Sequence, residues 1–114
     1  PVNVQPIVLF AEEGELNSLF GKALNVARTV GTAVMLLDTG KIMGVIVFKD
    51  SKAEKVKVIR GLLEEEVNDV NALLSILSEG RAKVAVYTFD VNEIIEEVID
   101  SAFAAKAVRK GGEA

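Results

Sequence analysis

Two apolar runs in the middle of the chain, Thr32 to Leu37 and Ile42 to Phe48, constrain its fold more than any other feature. Both are rich in β-branched residues and too short for ordinary helices, so they read as strands. The residues between them include Asp38-Thr39-Gly40, which is turn chemistry. A link that short cannot carry a parallel crossover, so the two strands are expected to form an antiparallel hairpin. Neither run alternates apolar with polar residues, and near-continuous apolar strands belong to a sheet covered on both faces.

The rest of the chain is read around that hairpin. Pro6 to Ala11 is a short apolar run and a first strand, and Glu12-Glu13-Gly14 breaks it. From Glu15 to Val30, residues Leu16, Leu19, Phe20, Ala23, Leu24 and Ala27 recur at the spacing of a helix with one buried stripe, and Gly31 stops it. After the hairpin, Ser51-Lys52-Ala53-Glu54 reads as a capping box opening a long helix. Its stripe is Val56, Ile59, Leu63, Val67, Val70, Leu74 and Leu77, with Gly80 at its end. Asn68-Asp69 is a point of interruption, since both residues prefer caps to helix interiors. Arg81 to Phe89 is a fourth strand. Asp90-Val91-Asn92-Glu93 then caps a last helix through Ile94, Ile95, Val98, Ile99, Ala102 and Phe103, and residues 111–114 form a frayed tail.

The predicted order is β-α-β-β-α-β-α in a single domain over residues 1–114, of class α/β with α+β as the other possibility. It predicts a four-stranded sheet with helices packed on it. The first six elements match a split β-α-β arrangement, whereas the apolar strands suit a doubly wound sheet. An oligomer whose sheets pack together reconciles the two.

Half of the 114 residues are hydrophobic, more than a chain this small hides internally, so a homo-oligomer is expected. The apolar runs fall far short of the roughly 20 residues of a membrane span, and no signal-peptide pattern is present. A cytoplasmic protein with no membrane partner is the expectation. Thirteen basic against seventeen acidic residues, a net charge of −4, argue against a nucleic-acid partner. The chain has no cysteine and no histidine. Disulfides, thiolate nucleophiles, thiolate metal sites and imidazole acid–base chemistry are therefore excluded. Carboxylates, lysines, hydroxyls, the N-terminus and backbone groups remain, and no cofactor is expected.

Three features carry candidate chemistry. Leu36-Leu37-Asp38-Thr39-Gly40 resembles the signature of retroviral-type aspartic proteases, whose paired carboxylates share a proton. A tight turn accounts for the same residues without catalysis. Pro1, ahead of β-α-β units in a chain of this size, resembles the tautomerase superfamily, which implies a proline nitrogen acting as base. Acidic residues also close all four predicted strands: Glu12 and Glu13, Asp38, Asp50 and Asp90. Clustered at one end of a sheet they could hold Mg²⁺, although caps and turns use the same residue types. In a hairpin, however, Asp38 and Asp50 point to opposite ends. A basic group, Lys49, Lys52, Lys55, Lys57 and Arg60, lies at a predicted helix start where backbone N–H groups could receive an anion.

A further resemblance covers about half of the chain. Ile7-Val8-Leu9-Phe10, the helix through Phe20-Gly21-Lys22-Ala23-Leu24-Asn25-Val26-Ala27, and Ala33 to Gly40 look like the opening of the DsrE-like sulfur-relay family. Leu73 to Gly80 leading into Val84-Ala85-Val86-Tyr87 looks like its central helix and strand. The resemblance implies an α/β oligomer that passes persulfide sulfur or binds small ligands. Active members of that family carry a cysteine just after the strand matching 83–89, where this chain has Thr88-Phe89-Asp90. Sulfur transfer is thus excluded, and what the resemblance leaves is a non-catalytic relative.

The expectation is therefore a non-catalytic oligomeric domain that binds a small ligand or a partner protein. Its expected ligand-binding residues are Glu12, Asp38, Thr39, Thr88 and Asp90, with Lys49 and Lys52 for an anion and no metal-ligating set. The alternative is an enzyme using Pro1, or strand-end carboxylates with Mg²⁺.

Overall fold

The computed structural model describes residues 5–78 and 80–89. Eight elements follow one another: β1 Pro6–Glu15, α1 Leu16–Ala27, β2 Thr32–Asp38, β3 Met43–Lys49, β4 Lys52–Arg60, β5 Leu63–Glu66, α2 Val70–Leu77 and β6 Arg81–Phe89. The strands form one sheet in the order β1-β6-β2-β3-β4-β5, and every adjacent pair is antiparallel. Strand β6 lies between β1 and β2, which therefore run parallel to each other and are joined by α1 over the sheet. That is a split β-α-β unit.

This architecture corrects the expected fold class. The sheet has six strands rather than four, and the element order differs, giving a small α+β domain with two described helices. The difference lies in residues 52–66, expected to open a long helix, which form the antiparallel hairpin of β4 and β5 instead. Its turns explain why. Lys49 pairs with Lys52 across Asp50 and Ser51, whose φ values of 51° and 66° match the paired positive angles of a type I′ turn. The supposed capping box is thus a hairpin turn, braced by the Asp50 N–H donating to the Gly31 carbonyl at 2.6 Å and the Ser51 hydroxyl to the Arg28 carbonyl at 3.1 Å. Arg60 pairs with Leu63 across Gly61, at φ 62°, and Leu62. A helix interior would hold neither turn. Helix α2 keeps only the last part of the predicted stripe, and Asp69 is its N-cap, accepting from the Ala72 N–H at 2.8 Å. The last predicted helix and the frayed tail lie outside the described residues.

Elsewhere local chemistry sets the elements as expected. The hairpin of β2 and β3 is present in full register from Thr32–Lys49 to Asp38–Met43. The buried side of α1 is Leu16, Leu19, Ala23 and Ala27. Glu15 caps it, its carboxylate accepting from the Asn17 and Ser18 N–H groups at 3.0 and 2.9 Å. Strand β1, by contrast, does not break at Glu12-Glu13-Gly14 as expected but continues up to that cap, because those residues pair with Val84, Lys83 and Ala82 of β6.

Both helices cover one face of the sheet. There Met35, Leu37, Ile46, Phe48, Val58 and Val84 meet the stripes of α1 and α2 in the larger core. The strands are apolar on the opposite face too, where Val34, Leu36, Val45, Val47 and Ile59 form a second buried cluster. Among the described residues no helix is long and apolar enough to cross a membrane.

Candidate functional site

The alternation of β6 places Ala82, Val84 and Val86 under the helices and turns Lys83, Ala85 and Tyr87 to the other face. Register then sets their neighbours. Lys83 stands opposite Glu13 of β1 on one side and Asp38 of β2 on the other, and Asp38 in turn stands opposite Met43 of β3. Directly opposed residues bring their Cβ atoms to about 5 Å. One lysine is thereby set between two carboxylates contributed by strands remote in sequence.

Beside this row is a cavity of about 360 Å³, walled by the apolar groups of Leu36, Met43 and Ala85, with Glu12, Lys83 and Tyr87 at its margin. An adjoining recess of about 240 Å³ shares Glu13, Asp38 and Lys83 and adds Thr39, Gly40 and Arg81. The larger cavity therefore has an apolar floor and a charged border of two carboxylates, Glu13 and Asp38, and one ammonium, while Glu12, paired with Val84, lines it from the backbone. It offers hydrogen-bond acceptors, a point-charge donor and a phenol.

The turn beside it is occupied with its own structure. The Gly40 N–H donates to Asp38 Oδ1 at 2.8 Å. The Thr39 hydroxyl donates to the Ile42 carbonyl at 3.1 Å and accepts from the Ile42 N–H at 3.2 Å. Gly40 takes φ 93°, a region where a Cβ is strained. The Asp-Thr-Gly motif thus builds a loop between β2 and β3 and presents Asp38 at the cavity border.

Of the expected ligand residues, Glu12, Asp38 and Thr39 meet here. Thr88, Lys49 and Lys52 do not. The Thr88 hydroxyl donates to the Thr32 carbonyl at 2.8 Å, and Lys49 pairs with Thr32, so all three lie at the start of β2. Asp38 is at its far end, six residues or about 20 Å away. Lys49 and Lys52 flank a hairpin turn rather than a helix start, and Lys49 lies 3.8 Å from Glu54. Asp50 shares that remote end, so the strand-end carboxylates divide between two ends of the sheet. Among the described residues no group of three or more acidic side chains is placed to hold a metal ion. Pro1 and Asp90 lie outside the described residues.

Sequence reasoning missed Met43, Lys83 and Tyr87 as wall residues and named Glu13 only among the strand-end carboxylates. The signal for two of them was present, since the alternation of Lys83-Val84-Ala85-Val86-Tyr87 sets Lys83 and Tyr87 on one face. Which strands flank β6 is a long-range fact that alternation does not carry. No family model matches the chain, and neither a curated protein nor a solved structure is significantly similar to it.

Proposed function

We propose that this chain is a non-catalytic binding domain whose ligand site is the cavity bordered by Glu13, Asp38 and Lys83. The observation that carries the proposal is the pairing of an apolar floor with a carboxylate-rich border. Burial of an apolar body supplies most of the affinity of a small ligand, and a few fixed polar groups orient it. With two carboxylates, Glu13 and Asp38, against one lysine, the border favours a cationic head, so the ligand class is a small apolar molecule bearing an ammonium group. A self-associating, cytoplasmic protein remains part of the proposal. Self-association is supported by the exposed apolar side chains of Ile7 and Val8 on the edge strand β1, and of Leu62 and Leu63 at the β4–β5 turn.

The test is an NMR titration of the full chain with hexylamine, hexanol and hexanoate as probes. Hexylamine should shift the amide signals of Lys83, Ala85 and Tyr87 at the lowest concentration, hexanol at a higher one, and hexanoate least. Removing one exposed carboxylate by Glu13→Gln should weaken hexylamine binding by about 1.5- to 5-fold, the worth of an exposed charge pair. Equal responses to all three probes, or none at these residues, would refute the proposal.

A further inference from the structure

The recess beside the larger cavity carries a second positive charge that an ammonium ligand does not use. Arg81 and Lys83 both line it, together with Glu13 and Asp38, whereas the larger cavity has Lys83 alone. Alternation along β6 sets Arg81 on the same face as Lys83, two residues or about 7 Å nearer the start of the strand. Register puts Glu15 of β1 opposite Arg81, but that carboxylate is engaged by helix α1, accepting from the Asn17 N–H at 3.0 Å and the Ser18 N–H at 2.9 Å. Arg81 is exposed, and among the described residues no ion pair engages it. The other donors of the recess are committed. Lys83 already stands between two carboxylates, the Gly40 N–H donates to Asp38, and the Thr39 hydroxyl donates to the Ile42 carbonyl.

We propose that the site takes a zwitterion, an apolar α-amino acid, with its side chain on the floor of Leu36, Met43 and Ala85, its ammonium at Glu13 and Asp38, and its carboxylate on Arg81. The inference rests on the ammonium-binding reading above and adds the second charge to it. Continuity fits. The cavity of about 360 Å³ and the recess of about 240 Å³ share Glu13, Asp38 and Lys83, so one small molecule can extend from the first into the second. Charge fits as well. In the recess two cations balance two carboxylates, and a ligand bringing one charge of each sign leaves that balance unchanged. The chemistry of the cation is also suited, because a planar guanidinium pairs with a carboxylate through two parallel N–H bonds. An α-amino acid carries both charges on one carbon, and the long arginine side chain spans the two-residue step along β6 that separates Arg81 from the position of Lys83.

Three probes of one shape separate the charges: free leucine, isoamylamine, which is leucine without its carboxylate, and isocaproate, which is leucine without its ammonium. Each is titrated into the full chain while the amide signals of Lys83, Ala85 and Tyr87 are followed. Leucine should bind about 1.5- to 5-fold more tightly than isoamylamine, the worth of an exposed charge pair, and isocaproate should bind most weakly. In Arg81→Gln the advantage of leucine should vanish, while isoamylamine binds at least as tightly as before because a like charge has been removed. In Glu13→Gln, leucine and isoamylamine should weaken together. If isoamylamine binds wild type as tightly as leucine, or if Arg81→Gln weakens both in the same proportion, the zwitterion is overturned and the ammonium-binding reading stands. If neither leucine nor isoamylamine moves these signals, both fall.

Discussion

Gly44 and Leu73 make the docking of α2 on the sheet measurable. A Cβ built at Gly44 would lie 3.0 Å from both methyl carbons of Leu73 and 3.2 Å from Leu77 Cδ1. Carbon pairs settle at about 3.5–4.0 Å, so Gly44→Ala must push the helix or its side chains back by about half an ångström or more. Leu73 is fully buried, which leaves it little room to give. Overpacking of this kind costs about 1–3 kcal/mol, and alanine recovers about 0.5–1 kcal/mol of strand entropy, so a net loss of about 0.5–2 kcal/mol is expected. Leu73→Ala alone should cost about 2–5 kcal/mol through lost burial and the cavity it leaves. In that background the Gly44→Ala methyl enters the space vacated by Leu73 and becomes neutral or stabilising. The double variant should therefore be about 1–2 kcal/mol more stable than the sum of the singles, within the range for residues in contact. Urea unfolding of the four proteins, with a shared slope, reads the cycle directly. Additivity to within about 0.5 kcal/mol would refute the packing of α2 against β3 at this point.

Two further substitutions test the turns and caps. Gly61→Ala places a side chain at φ 62° and should cost about 1–2 kcal/mol in chemical denaturation; in a continuous helix the same change would stabilise by about 1 kcal/mol, so the sign alone decides between hairpin and helix. Asp69→Ala removes the acceptor of the Ala72 N–H and should lower stability by about 1 kcal/mol, with Asp69→Ser restoring most of it; an equal loss in both variants would mean that the capping bond contributes nothing.

Much of the candidate site was legible one residue at a time. Asp38, Thr39 and Glu12 were recognisable as polar residues at strand ends, and they do gather at one end of the sheet. Thr88, Lys49 and Lys52 were equally plausible by that criterion and lie at the other end. Strand direction and neighbour order separate the two groups, and both come from pairings between residues as far apart as Glu13 and Lys83. The place of Lys83 between two carboxylates exists only in the folded register.

By itself the sequence determined the features that rest on local chemistry. A short turn between two β-branched runs forces the β2–β3 hairpin, and an apolar stripe ahead of Gly31 makes α1. It could not determine residues 52–66, where Val56, Ile59, Leu63 and Val67 fit a helical stripe while Val56 and Val58 fit a strand's inner face. Tertiary structure decided there. Strand β3 is buried on both faces, and β2 satisfies the backbone groups along one of its edges. Its other edge needs N–H and C=O partners that a packed helix cannot supply, because a helix spends its own on itself. Strand β4 provides them, and β5, short and rich in glutamate, closes the sheet with an edge that discourages further pairing.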